Sequence, residues 1–327
     1  MKIALDAMGS DNAPFNDVEG AVLAARELKY QVVLVGKQDV IEEELTKHRP
    51  VPDNISIHHA SEVIAMQEQP VLSVRRKKQS SIVVLANLLK ENKVDAIVSA
   101  GNTGAMVCAA TLKCRLLPGV ERAGIGVLMP TLKGTVLMID GGANIDARPT
   151  HLLQYAIMGS AYSEYILNKR APKVGLLNVG AEESKGTGSL KEAYTLVERS
   201  GLNFIGNVEG RDIFIGDCDV IVCDGLVGNV ALKVSESTAH AIIEMLKREI
   251  KSRALSKIGA LFAKKSFDSL KKKMDYVEYG GAPLLGINGV CIICHGSSPP
   301  KAIKNAIRVA GEEVIKNVNQ HIIEKIG

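Results

Sequence analysis

The sequence predicts an α/β fold, a three-layer α/β/α sandwich on a mainly parallel sheet, and two observations predict it. Short apolar runs alternate with amphipathic stretches at helical spacing along the chain, the pattern of strands buried on both faces and joined by crossover helices. The apolar runs also end in Gly, Asn, Asp or Ser, residues that let a chain leave a sheet and turn. The 327 residues, 46% of them hydrophobic, supply ample core for one large body or two interlocked halves. With no repeat, low-complexity tract or linker interrupting the alternation, the chain reads as a single domain over 1–327.

Taken in order, KIALDA (2–7) opens the sheet, and DAMGSDNAP (6–14) turns the chain toward a helix near 17–29. QVVLVG (31–36) is short and continuously apolar, as a strand inside a parallel sheet must be. A helix near 80–92 leads to VDAIVSAG (94–101), and the following NTG begins a helix near 103–115. TVLMIDGG (135–142) precedes a helix near 150–168, KVGLLNVG (173–180) one near 189–200, and CDVIVCDG (218–225) a long one near 229–251. GVCIICHG (289–296) ends in HGSSPP and a last helix near 299–325, with proline at its first turn, where a missing N–H costs nothing.

Within that last strand, Cys291-Ile-Ile-Cys294-His295 matches the C-x-x-C-H pattern of covalent haem attachment. The start of the chain has no apolar stretch long enough for export, since Asp6 follows three residues after Ile3, and no apolar run reaches a membrane span. The expected location is therefore cytoplasmic, where six cysteines are reduced thiols and haem attachment loses its compartment. Three residues apart on a strand, Cys291 and Cys294 point to opposite faces and cannot converge on one ion. The pair reads as core thiols, and no metal site is expected.

The polar turns carry the functional expectation. Ligands of open parallel sheets sit at the carboxyl ends of strands, and DAMGSDNAP, SAGNTGA, DGGAN, NVGAEESKGTGS, CDGLVGN and CHGSS all lie there. Glycine lets successive N–H groups point into one concavity, and a helix N-terminus beyond adds positive potential for an anion. Any one such turn is also ordinary βα chemistry, but six together predict a polar site along one edge. No G-x-x-x-x-G-K-[ST], no G-x-G-x-x-G with its distant acid and no G-x-S-x-G is present, which disfavours ATP, NAD and a serine nucleophile. What remains is a site that holds phosphate or carbonyl oxygens on backbone amides, with Lys185 as the cation inside a turn.

In order along the chain, DAMGSDNAP, RRKKQSS, VSAGNTGA, DGGAN, NVGAEESKG, CDGLVGN and GGAPLLGI closely resemble the bacterial phosphate acyltransferases of phospholipid synthesis. Ser10 stands where many members carry a second glycine, a minor departure at a turn. The resemblance implies a fold related to the isocitrate and isopropylmalate dehydrogenases without their nicotinamide chemistry, a homodimer, and no cofactor. It implies transfer of a fatty acyl group from acyl carrier protein to inorganic phosphate, giving acyl phosphate by direct attack with no enzyme-bound acyl intermediate. Such a product points to contact with a membrane-bound glycerol-3-phosphate acyltransferase.

On this reading Lys185, Asn229 and His295 are the candidate catalytic residues. Substrate binding is expected from Asp6, Gly9, Ser10, Asn102, Thr103, Gly104, Asn144, Asn178 and Asp224, with phosphate meeting Asn102, Thr103, Gly104 and Lys185. Asp6 and Asp224 orient donors rather than transfer protons; Asp6 bonding its own turn is an equally simple account. His295 either donates to a neighbouring carbonyl or contacts substrate.

Two segments address partners. Arg75-Arg76-Lys77-Lys78 is either a solvated turn or a docking site for an acidic carrier protein, through Arg76 and Lys77 above all. A net charge of +4 without an aromatic-rich basic surface argues against nucleic acid. In ALSKIGALFAKKSFDSLKKKM (254–274), within a protruding segment near 250–275, Leu255, Ile258, Leu261 and Phe262 recur at helical spacing. Lys257, Lys264, Lys265, Lys271, Lys272 and Lys273 surround them. The segment suits peripheral contact with an anionic membrane, a second subunit, or the carrier protein. A dehydrogenase of related fold and a non-enzymatic membrane scaffold are the competing functional readings.

Overall fold

The computed structural model describes residues 1–274 and 276–326. Its strands are β1 (Lys2–Asp6), β2 (Gln31–Gly36), β3 (Ile55–His59), β4 (Ala96–Ser99), β5 (Gly124–Thr131), β6 (Gly134–Ile139), β7 (Val174–Leu177), β8 (Phe204–Val208), β9 (Val220–Val222), β10 (Ala282–Leu285) and β11 (Val290–Ile293). The helices are α1 (Phe15–Leu28), α2 (Gln38–Leu45), α3 (Pro70–Arg76), α4 (Ser81–Lys90), α5 (Thr103–Cys114), α6 (Pro149–Tyr165), α7 (Gly188–Glu198), α8 (Gly225–Ser252), α9 (Ala254–Phe262), α10 (Lys264–Met274), α11 (Pro300–Ile315) and α12 (Val318–Ile326). Every strand and helix read from the apolar pattern is present. Those it missed are short (α2, α3, β3), or belong to β5, β8 and β10.

All strands join one sheet in the order β3-β2-β1-β4-β11-β10-β5-β6-β9-β7-β8. Parallel pairing builds two blocks, β3-β2-β1-β4-β11 and β6-β9-β7-β8. Between them β10 runs antiparallel to β11 and to β5, and β5 antiparallel to β6. The sheet is mainly parallel, as expected, but three reversals leave its two blocks running in opposite senses.

The expectation of six polar turns along one edge is corrected accordingly. Turns after β1, β4 and β11 form one set, and turns after β6, β7 and β9 form another. The physical cause is the tight β5–β6 hairpin, turning at Gly134 with φ 138°, a connection open only to antiparallel neighbours.

Each block is covered on both faces. Alternate residues of β1, β2, β4 and β11 divide between a core under α4 and α5 (Ala4, Val33, Ile97, Cys291) and a core under α1 and α11 (Ile3, Leu34, Val98, Ile292). The second block packs α6, α7 and α12 against Leu137, Val174 and Val220 on one face, and Met138 and Ile221 form a smaller core on the other. Cys291 and Cys294 fall in different cores, on opposite faces as their spacing requires. Burial pushes the Cys294 thiol up to about 12, so it is inert at neutral pH.

The long last helix expected near 299–325 is two helices. Asn317 takes φ 48° between them, a left-handed conformation that asparagine tolerates better than most residues. The 254–274 segment likewise divides into α9 and α10. On α9, Leu255, Ile258, Leu261 and Phe262 are 84%, 56%, 72% and 85% exposed. The side chains of Lys271, Lys272 and Lys273 lie outside the described ones. Among the described residues, no helix is long and apolar enough to cross a membrane.

Candidate active site

The first set of turns is knit together by Asp6. Its buried carboxylate accepts from the Met8 N–H (3.0 Å) and the Ser99 hydroxyl (2.9 Å), and Ser99 Oγ accepts from the Gly101 N–H (3.0 Å). Burial raises the Asp6 pKa, while these donors oppose the shift. Gly9 is obligatory here, since a Cβ would stand 2.5 Å from Asp6 Oδ2 and 2.7 Å from the Gly101 nitrogen. Asp6 thus bonds both its own turn and the next strand's, and no face of it reaches solvent.

Asn102 caps α5. Its Oδ1 accepts from the Ala105 N–H (2.9 Å), while Nδ2 donates to the carbonyls of Ala65, Met66 and Glu68 (3.0–3.2 Å). The side chain is spent on holding the 65–68 loop, so what this turn offers a ligand is the exposed helix start at Thr103 and Gly104.

Ser10 is buried and donates to Asp17 Oδ2 at 2.7 Å, while the other Asp17 oxygen is buried without a partner among the described residues. Burial, helped by the nearby Asp6 charge and opposed by the Ser10 hydrogen bond, lifts Asp17 to about 7. A carboxyl raised this way favours folding in its protonated form, so its contribution is complete below about 4 and lost as pH rises through about 7. Asp17→Asn should therefore remove a fall in stability on the order of 4 kcal/mol between those limits. Urea denaturation at pH 5 and pH 8 checks this; parallel pH dependence in parent and variant would exclude it.

The second set centres on Asp140, a fully buried carboxylate that the sequence reading did not single out. It accepts from the backbone N–H groups of Ile125, Gly142, Ala143 and Asn144 at 2.7–3.0 Å. Asn144 Nδ2 donates to the Ala123 carbonyl (2.6 Å), the Tyr155 hydroxyl (2.8 Å) and Asp140 (3.2 Å). Asp224 caps α8 by accepting from the Val227 N–H at 2.8 Å. Asn178 donates to the Lys185 carbonyl (3.2 Å) and accepts from the Val179 N–H (2.8 Å), which folds the 178–187 loop back on the end of β7. Lys185 itself is half exposed, with Glu182 4.0 Å away. Because β7, β9 and β6 are neighbours, this loop adjoins the turns at Asp224 and Asp140.

Helix α8 joins the two sets. Asn229 is exposed and lies over Gly142, where a Cβ would stand 3.4 Å from its own. Lys233 follows one turn later and Glu236 a turn after that, so all three share one face of α8. Lys233 Nζ lies 2.7 Å from His295 Nε2 and 2.9 Å from Glu236 Oε2, and Glu236 Oε1 is 3.6 Å from the same imidazole nitrogen. The histidine and lysine beside it hold the Glu236 carboxyl below its usual range. The structure thus brings Asn229 and His295 together through Lys233 and Glu236, which sequence reading missed. Their i, i+4, i+7 spacing from Asn229 was the available signal.

Of the four adjacent cations, Arg75, Arg76 and Lys78 are exposed, and Lys77 is the one tied down. Arg75 and Arg76 close α3, and Lys77 is paired with Glu68 at 2.6 Å and donates to the Val63 carbonyl. Lys77 and further donors hold the Glu68 carboxyl down at about 2.

The chain matches the family described as fatty acid synthesis protein over residues 1–321. It is 50% identical over 325 residues to the phosphate acyltransferase of Syntrophotalea carbinolica, spanning 99% of this chain and 94% of that one. The chain belongs to the phosphate acyltransferase family.

The fold has wider relatives. A phosphotransacetylase from Streptococcus pyogenes superposes with TM-score 0.65 at 19% identity, covering 96% of this chain and 94% of that one. A 4-hydroxythreonine-4-phosphate dehydrogenase from Klebsiella pneumoniae does so with TM-score 0.50 at 11% identity, covering 96% and 97%. The dehydrogenase-like architecture expected from the sequence is therefore present in this acyltransferase. In it, the helix starts at Thr103 and Gly104 and the cation at Lys233 lie beside the His295 turn, because β4 and β11 are neighbours. Such an arrangement can bind an anion and polarise a carbonyl without a nucleophile of its own.

Proposed function

We propose that this acyltransferase moves a fatty acyl group from acyl carrier protein to inorganic phosphate. The observation that carries the reading is the face of α8 that ties Asn229, Lys233 and Glu236 to His295, beside exposed helix N-terminal amides. Phosphate docks on the amides of Thr103 and Gly104, with Lys185 and Lys233 offsetting its charge and Asn229 as a neutral donor. A phosphate oxygen attacks the thioester carbonyl, the C–S bond breaks, and the proton released from hydrogen phosphate ends on the carrier thiolate. That thiolate has a pKa near ~8.5 and needs little help to leave. No enzyme-bound acyl group forms.

Incubation with acyl carrier protein thioester should release free carrier thiol and acyl phosphate in equal amounts, only when phosphate is present. Thiol release at the same rate without phosphate would mean hydrolysis or an acyl-enzyme. Reduction of a nicotinamide cofactor would mean the related dehydrogenase chemistry.

The partners follow from exposed surfaces. Arg75, Arg76 and Lys78 form no ion pair among the described residues, and with the paired Lys77 they offer an acidic carrier its steering charge. Val230, Val234, Ile242 and Met245 on α8 are all more than half exposed, which suits a homodimer. On α9, Leu261 and Phe262 suit peripheral membrane contact, where a poorly soluble acyl phosphate passes to a membrane-bound glycerol-3-phosphate acyltransferase. The protein should sediment with anionic vesicles, less so in high salt, and Leu261→Glu with Phe262→Glu should abolish the association while soluble activity stays measurable. Undiminished sedimentation of that double variant would place membrane contact elsewhere, and a shift to monomer would make the stripe a subunit interface.

A further inference from the structure

An open cavity of ≈ 450 Å³ along α3 has no part in the chemistry above. Glu68, Gln69, Leu72, Ser73, Arg76 and Lys77 line it, a volume within the ordinary range for small-ligand sites. Its charges are uneven. Glu68 is saturated by Lys77 (2.6 Å), the Ser73 hydroxyl (2.9 Å) and the Ala65 N–H (2.8 Å), so the two opposite charges cancel. Arg76 is exposed, makes no ion pair among the described residues, and is the unbalanced cation of the lining. Leu72, 45% exposed, adds an apolar surface beside it.

The cavity is also physically tied to the active site. Its floor loop is the one Asn102 holds by three carbonyls. Pro70 packs so close to Gly104 that a Cβ there would stand 2.7 Å from the proline ring. Met66, 41% exposed on the same loop, reaches within 2.6 Å of where a Gly296 Cβ would lie, next to His295. The 65–68 loop thus runs from the cavity lining at Glu68 to the His295 turn at Met66.

We propose that this cavity seats the phosphopantetheine arm of the acyl donor, with Arg76 on its phosphate and Leu72 and Met66 along the chain toward the thioester. The inference rests on the reading of the donor as a carrier thioester. A single phosphate charge on a mostly uncharged amide chain matches one unbalanced arginine beside apolar surface, and the planar guanidinium can grip a phosphate through paired N–H donors. The arm is thus recognised by its phosphate, a contact of Arg76 additional to the long-range steering that it shares with its neighbouring cations.

The test is equilibrium titration of free 4′-phosphopantetheine and of pantetheine, which lacks the phosphate, into the full-length parent, Arg76→Ala and Arg75→Ala. The parent should bind the phosphorylated arm about tenfold or more tightly than pantetheine, the scale of a charged hydrogen bond. Arg76→Ala should erase that preference and leave pantetheine binding unchanged, whereas Arg75→Ala should keep it. Equal binding of the two compounds by the parent overturns the proposal. So does weakened binding of both by Arg76→Ala. None of these readings needs turnover, so they stand apart from success or failure of the phosphate-dependent assay.

Discussion

Lys185→Ala is expected to lower turnover by ~100-fold or more, the scale for removing one preorganised electrostatic group. The loop that carries Lys185 is positioned by its backbone, through the Asn178 amide on the Lys185 carbonyl, while the half-exposed side chain has Glu182 4.0 Å away. An ammonium so placed is available to phosphate as charge gathers near the carbonyl, and the loss should appear in kcat more than in the Michaelis constant for phosphate. Steady-state kinetics on the folded variant decides. Near-parental turnover would make Lys185 an exposed loop lysine and return the cation's role to Lys233.

Gly228→Ala should do still more damage, because the added Cβ would stand 1.9 Å from the Asp140 carbonyl oxygen and 3.0 Å from Cys223 Sγ. Neither can give way, since Asp140 is locked by four backbone N–H donors and Cys223 is buried. The start of α8 must move instead, and Asn229, Lys233 and Glu236 move with it. A displacement of about 1 Å costs on the order of 100-fold in rate, and the overpacking about 3 kcal/mol of stability. Gly188→Ala, at a helix start where a Cβ meets nothing within 4 Å, is the matched control and should change stability by less than ~0.5 kcal/mol. Chemical denaturation and turnover of the two variants test the contrast; a Gly228→Ala protein that behaves like Gly188→Ala would mean that α8 does not set the site.

What was legible in the sequence was local. The strands KIALDA and QVVLVG and the NTG helix start declare themselves by apolar period and capping chemistry, which neighbouring residues decide. The opposite facing of Cys291 and Cys294 follows from strand geometry alone. The motif order along DAMGSDNAP, SAGNTGA, DGGAN and CDGLVGN was enough to indicate the family, because those turns are read as linear strings.

Tertiary structure decided what depends on pairings between distant segments. An apolar run looks the same whether its neighbour is parallel or antiparallel, so the reversals at β10, β5 and β6, and with them the division of the polar turns, were invisible. Asn102 and Asn144 looked like free donors, but carbonyls brought by other segments take up their amides, and Asn178 donates within its own loop. The break at Asn317 was hidden for the same reason. α11 packs on α1 of one block and α12 on α6 of the other, and only that division of packing shows why one apolar pattern becomes two helices. Lys233 escaped notice because the residue that gives it meaning, His295, lies 62 positions away and meets it only after both blocks have folded.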